Sequence, residues 1–179
     1  MLLKSILVII TISYPFIVYF GLNRFEPSVV LYFLVVLLAL RWRIEKQSSM
    51  RKVLIFSALA ILVIAYFIGD LEGLKMYPVT VNLAMLILFS SSLYAKQSIV
   101  EKLARLKEPD LPPEAVAYTR KVTQVWCAFF AINGSIAFFT ALWTSNETWL
   151  FYNGFLAYIL IGTLVSGEWL IRYRVKRRL

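Results

Sequence analysis

The chain has 179 residues, 60% hydrophobic, 16% aromatic and 16% charged, with mean hydropathy +0.74 and formal net charge +9. A soluble domain carries about 45–50% apolar and about 25% charged residues, so this composition excludes a soluble enzyme, a nucleic-acid-binding domain and a disordered chain. The solvent for most of the chain is lipid, and the predicted fold class is an all-α polytopic membrane helix bundle forming a single transmembrane domain.

Six apolar runs follow in chain order, at about 5–22, 27–40, 53–69, 77–95, 122–143 and 149–171. A bilayer core of about 30 Å needs about 20 helical residues. The second run is short, so it must recruit its flanks or thin the bilayer. Pro27 reads as a helix start, and Pro15 inside the first run predicts a kink. Run one follows Lys4 as a signal peptide would, but the bulky Tyr19-Phe20-Gly21-Leu22-Asn23 lacks a small-x-small cleavage pattern, so it reads as a retained helix.

Basic residues favour the cytoplasmic side of short loops. With six crossings and both termini inside, Lys4, the loops at 41–52 and 96–121 and the tail from Arg172 place seventeen of the nineteen Lys and Arg residues on one side. A five-span chain, with runs one and two as a re-entrant hairpin, is the more complicated alternative. The net charge is then a rim facing anionic headgroups, each nearby Lys or Arg contributing about 1 kcal/mol.

Residues 96–121 form the one sizeable region outside the apolar runs. Ile99, Val100, Leu103 and Leu106 recur at helical spacing between Lys102, Arg105 and Lys107, which predicts a short basic amphipathic helix resting in the headgroup plane. Those three cations are the candidate docking residues for lipid headgroups or a cytoplasmic partner. Pro109, Pro112 and Pro113 break that helix. Asp110 is placed to cap a longer one, running from about Leu111 through span five to Trp143. Its first turns would project into the cytoplasm.

Ionisable groups within membrane spans are functional candidates by default. Glu168 lies near the inner end of span six with Arg172 four residues on. If spans five and six form an antiparallel hairpin, Arg120 and Gln124 sit at the same depth, where Glu168 could bridge to Arg120. The plainer reading is an interfacial ion pair beside a Trp169 belt anchor. Arg120, Gln124, Cys127, Ala131 and Gly134 form one small and polar stripe, with Asn133 expected on the opposite side. Asn82, Asn133 and Asn153 read either as interhelical glue or as the lining of a polar cavity for a headgroup or acyl-linked substrate. Ser90, Ser91 and Ser92 are expected to bond back to their own helix, Cys127 to pack inertly, and Trp126, Trp143, Trp149 and Trp169 to sit at interfaces. The small stripe Gly154, Tyr158, Gly162 and Ser166 could pack within the chain or against a second copy.

No catalytic set is legible. Histidine is absent and Cys127 is the single cysteine, which removes imidazole chemistry, His-ligated metals and a CxxC pair. GxSxG, HExxH and phosphate-binding glycine loops are missing. No catalytic residue, metal ligand or cofactor is therefore assigned.

Four segments, Lys75-Met76-Tyr77-Pro78-Val79-Thr80-Val81-Asn82, Glu108-Pro109-Asp110-Leu111-Pro112-Pro113, Tyr118 to Trp126, and Tyr152-Asn153-Gly154 through Gly167-Glu168-Trp169-Leu170, resemble a family of small uncharacterised bacterial inner-membrane proteins. Genes of that family often sit beside acyl-carrier-protein, acyl-ligase and ketosynthase genes of aryl-polyene pathways. The likeness covers the chain from residue 75 onward, and the first 70 residues by hydropathy alone. More distantly, the order of apolar segments, the pattern Trp126-x-x-Phe129-Phe130-x-x-x-Gly134 and Trp149 at the start of the last span are similar to intracellular septation protein A. The resemblance implies a bacterial inner-membrane location and a role in making, moving or handing on a lipid-like acyl product.

Three functions follow as expectations. The first is a non-enzymatic accessory or scaffold protein for envelope-lipid or acyl-chain biosynthesis. Its partners would be membrane lipids, cytoplasmic acyl-chain enzymes or envelope-assembly proteins, or a second copy of the chain, and no nucleic acid. The second is a lipid or small-molecule transporter, which requires a mid-membrane polar cavity lined by Asn82, Asn133 or Asn153. The third, with least support, is a membrane-embedded acyl-group enzyme.

Overall fold

The computed structural model describes residues 6, 9–11, 13–106 and 108–176, with side chains up to Leu170. Lys4, Lys107 and the side chains of Arg172 and the basic tail lie outside the described residues. Every regular element among those described is helical. In chain order they are α1 (Tyr14–Leu22), α2 (Pro27–Ile44), α3 (Ser48–Ile68), α4 (Asp70–Lys75), α5 (Tyr77–Ser92), α6 (Ile99–Arg105), α7 (Pro113–Trp143), α8 (Asn146–Phe151), a π-helical turn (Tyr152–Leu156) and α9 (Ala157–Lys176).

Among the described residues, four helices are long and apolar enough to cross a membrane: α2, α3, α7 and the run Asn146–Leu170, which joins α8, the π turn and α9. This is a membrane protein with a helical bundle. Its outer surface shows the lipid-facing pattern, with Phe33, Val36, Leu59, Val63, Ile132 and Phe139 all at least half exposed. Apolar side chains spread round the bundle in this way are tolerated where hydrocarbon, and not water, is the solvent.

Several elements depart from the sequence reading. Pro27 does open α2, but the helix continues past residue 40 to Ile44. It therefore reaches about 27 Å at 1.5 Å per residue, and takes in Arg41 and Arg43, which the hydropathy reading assigns to the loop. The Arg51 guanidinium lies 4.5 Å from the centre of the Trp42 ring, a cation–π contact that ties the ends of α2 and α3 together. The expected fourth span, 77–95, is helical only to Ser92 and is preceded by α4. The long helix through span five exists as the 31-residue α7, but its N-cap residue is Pro112 and no side chain caps it, so Asp110 does not play that part.

In the loop, α6 is shorter than the periodicity suggests. Ser98 caps it by accepting from the Glu101 amide at 3.3 Å. Its buried residues are Glu101 and Ala104, whereas Leu103 and Leu106 face outward. The helix thus packs through a face other than its apolar one, leaving Leu103, Leu106 and Lys102 exposed in the manner of a surface helix.

The core joins Tyr14 and Val18 of α1, Val30, Leu34 and Leu38 of α2, Leu54 and Ile61 of α3, Leu74 of α4, and Trp149 of α8. Trp149 is only 1% exposed, so it is a core residue and not the interfacial anchor its place at a span end suggests. Trp143 and Trp169 are mostly exposed, as belt residues should be. Trp126 lies within an aromatic cluster with Phe89, Phe129 and Phe130 between α5 and α7.

Candidate functional site

Three of the helices are interrupted, and each interruption has a local cause. Between α4 and α5 the interruption is at Met76, two residues before Pro78. Proline has no amide hydrogen, so the carbonyl of residue 74 loses its intrahelical donor. The Tyr14 hydroxyl supplies one by donating to the Leu74 carbonyl. The next carbonyl, Lys75, accepts from Trp149 Nε1 at 3.2 Å. In hydrocarbon a backbone carbonyl without a donor costs several kcal/mol, so Tyr14 and Trp149 are what make a broken helix tolerable here.

The second irregularity is at Ser13, a turn residue immediately before α1, whose first turn holds Pro15. The third is the π turn at Tyr152–Leu156. There Asn153 Nδ2 donates to the Trp149 carbonyl at 3.0 Å and to Thr140 Oγ1 at 3.2 Å. Single π turns inside α-helices are frequently found at functional sites.

All three irregularities border one cavity of about 220 Å³. Its wall includes Thr11, Tyr14 and Pro15 on the first helix, Arg41 on α2, and Tyr77, Pro78, Val81 and Asn82 on α5. Asn133 on α7, Asn153 on the π turn, and Ala157, Tyr158 and Ile161 on α9 complete it. The three asparagines singled out in the sequence therefore meet at one place. Asn133 is ten residues from the end of α7, about 15 Å by helical rise.

Two of the amides, those of Asn82 and Asn133, are also bonded to each other. Tyr152 donates to Asn133 Oδ1 at 2.9 Å, Asn133 Nδ2 to Asn82 Oδ1 at 3.0 Å, and Asn82 Nδ2 to the Pro78 carbonyl at 2.8 Å. The network that links α5, α7 and the π turn also forms a wall of the cavity. The expectation that Asn133 faces away from the stripe of Gly134 is overturned. A Cβ on Gly134 would sit 3.0 Å from Asn82 Cβ, so both residues face α5 and the missing side chain lets the amides approach. Elsewhere on that stripe, Cys127 Sγ accepts from Ser90 Oγ at 3.5 Å, while Gln124 and Ala131 are exposed. Ser91 and Ser92 bond back to carbonyls of their own helix as expected; Ser90 does not.

The remaining candidates are not part of this site. Arg120 donates to the Leu93 carbonyl at 2.7 Å and does not pair with Glu168. At that end α7 and α9 are instead linked by Tyr118, whose hydroxyl donates to the Glu168 carbonyl at 3.4 Å. Arg105 pairs with Glu101 at 2.9 Å and donates to the Pro109 carbonyl at 2.6 Å, which fixes it locally and leaves Lys102 as the exposed cation of that trio among the described residues. The stripe on span six is packed at Gly154, against Leu150 and Phe16, but has nothing within 4 Å of a Cβ on Gly162.

Arg41, Tyr14 and Thr11 are polar cavity residues that the sequence reading assigns to no site, and Tyr158 enters it only within the small stripe with Gly154 and Gly162. For Arg41 a signal exists. Val30, Leu34, Leu37 and Leu38 are buried at helical spacing, and position 41 continues that stripe by steps of three and four.

A second, apolar cleft of about 360 Å³ adjoins the first. Phe129, Ile132 and Ile136 of α7 face Leu160, Thr163 and Leu164 of α9 across it, and Asn133 borders both spaces. No family model matches the chain, and no curated protein or solved structure matches it either.

Proposed function

We propose that this protein holds an amphiphilic acyl molecule inside the bilayer, as a carrier or transporter accessory to envelope-lipid or acyl-chain synthesis. In this reading it is a bacterial inner-membrane protein with six crossings and both termini in the cytoplasm. The work is binding and handing on, without covalent chemistry by its own side chains. The carrying observation is that Asn82, Asn133 and Asn153 converge on one intramembrane cavity bounded by three helix irregularities. Broken helices around a midplane site are how transporters expose polar groups to a substrate without exposing backbone to lipid.

The cytoplasmic scaffold is the weaker reading. Of its docking residues, Arg105 is committed to Glu101 and Pro109. The exposed Leu103 and Leu106 suit a headgroup layer at least as well as a soluble enzyme.

Mild extraction from native membranes followed by native mass spectrometry tests the proposal. A lipid-like molecule should be retained by the wild-type protein. Ile161→Trp, which fills the cavity from a half-buried position on its wall, should lose it at unchanged protein yield. Wild-type protein free of any retained amphiphile, or a variant that retains it equally, refutes the reading. The topology has its own check. A fluorescent protein fused after Leu179 should fluoresce and an alkaline phosphatase fused there should be inactive; the opposite pair of results reverses the orientation.

A further inference from the structure

Arg41 brings a full positive charge to this cavity, and among the described lining residues no Asp or Glu answers it. The other polar groups of the wall are the hydroxyls of Thr11, Tyr14, Tyr77 and Tyr158 and the three asparagine amides. Arg41 Nε is fully buried and has no hydrogen-bond partner among the described residues. An arginine within a membrane span is costly unless it meets an anion, a carbonyl or water. A buried guanidinium N–H without an acceptor adds a further penalty. Arg41 lies in the last turn of α2, half-buried on the face that continues the stripe of Leu34, Leu37 and Leu38, whereas Arg43 is exposed.

From this we infer that the cavity binds the oxyanion head of a single-chain amphiphile, with the Arg41 guanidinium as its counter-ion. This rests on the proposed function and specifies its substrate class. Guanidinium presents a planar fork that matches a carboxylate or phosphate. The Tyr77 hydroxyl and the second amide hydrogens of Asn82 and Asn133, whose first ones are spent on Pro78 and Asn82, can complete the hydrogen-bond set of a small anion. The space of about 220 Å³ suits a compact head and not a bulky one. The tail has a place too. Pro15, Pro78, Val81, Ala157 and Ile161 make the rest of the wall apolar, and Asn133 marks where the polar space borders the cleft between Ile132, Ile136, Leu160 and Leu164. A free inorganic anion would leave that apolar lining without a role.

The probe is a long-chain fatty acid with a diazirine near its tail, offered to the full-length protein in phosphatidylcholine nanodiscs. Illumination should place adducts on residues lining the cavity and the cleft, mapped by peptide mass spectrometry. Unlabelled fatty acid should compete at least about tenfold better than its methyl ester, because the ester lacks the charge that meets Arg41. Arg41→Gln should lower labelling about tenfold, and Arg41→Lys, which keeps the charge but not the planar fork, should lower it less. Equal competition by acid and ester overturns the inference but leaves an amphiphile site standing, and it needs no variant to fold. Competition by millimolar inorganic phosphate as strong as by fatty acid also overturns it, by assigning the site to a free anion. Absence of any adduct in both the cavity and the cleft overturns the inference and the proposed function together.

Discussion

Gly73→Leu should unseat α4 from α3 and destabilise the protein by about 3 kcal/mol or more, the upper end for overpacking a tight interface. A Cβ at Gly73 would lie 2.7 Å from Ala65 Cβ and 2.9 Å from the Ile61 carbonyl oxygen. The second of these is backbone, which cannot rotate out of the way. Even Gly73→Ala has to separate the helices, at about 1–3 kcal/mol, against a gain in helix propensity of only about 1 kcal/mol. The loss spreads, because α4 carries the Leu74 and Lys75 carbonyls that accept from Tyr14 and Trp149. Moving α4 strips both carbonyls of their donors in a setting without water to replace them. Gly162→Leu is the control. A Cβ there meets nothing within 4 Å, so this variant should stay within about 0.5 kcal/mol of wild type, the range for surface changes. Thermal or detergent unfolding of the three variants measures the contrast. A Gly73→Leu protein as stable as wild type would show that α4 does not seat against α3 as described.

The membrane class was plain in the composition, because no soluble core could absorb so much apolar sequence. Helix starts at Pro27 and near Pro113 were legible for the same reason that they form, since proline is tolerated where the helix has no amide to satisfy. The cavity was legible only in part. Asn82, Asn133 and Asn153 stood out as polar groups within apolar runs, but their convergence depends on helix pairing that no single chain position encodes. Arg41 was hidden by its neighbours. Its closeness to Arg43 and Lys46 made it look like loop charge, and only the burial of Leu34, Leu37 and Leu38 reveals which way it faces. Trp149 misled for a related reason. Its place at a span end suggests an interfacial belt, and the demand that overrides this is remote, a carbonyl freed near Pro78 seventy-four residues earlier. The Glu168–Arg120 bridge failed because its logic considered only charge and depth. Arg120 found a carbonyl at the end of α5 instead, a partner that every helix C-terminus offers.

The second large effect is expected at Asn133. Asn133→Leu removes its bonds to Tyr152 and Asn82 in one step, and leucine is close enough in size to isolate the polar change. Interhelical hydrogen bonds in membranes contribute about 0.6 kcal/mol on average and about 1.7 at most. The loss here should exceed that range, because a buried hydroxyl and an amide oxygen are left without partners at about 1–3 kcal/mol each. A total near 3 kcal/mol is the expected result. Asn82→Leu breaks the same link from the other side, keeps the Tyr152 bond to Asn133, and should cost less. If the residues act as one network, the double variant should be less destabilised than the two single losses added together, with a coupling of about 1 kcal/mol. Strict additivity would mean that the amides stabilise their own helices and that nothing passes between α5 and α7 through them. The same variants bear on binding. Asn133 borders the polar cavity and the apolar cleft alike, so Asn133→Leu should weaken amphiphile retention more than Asn82→Leu, even at a temperature where both proteins remain folded. Retention that follows stability alone, equal for the two variants once each is fully folded, would reduce the network to glue.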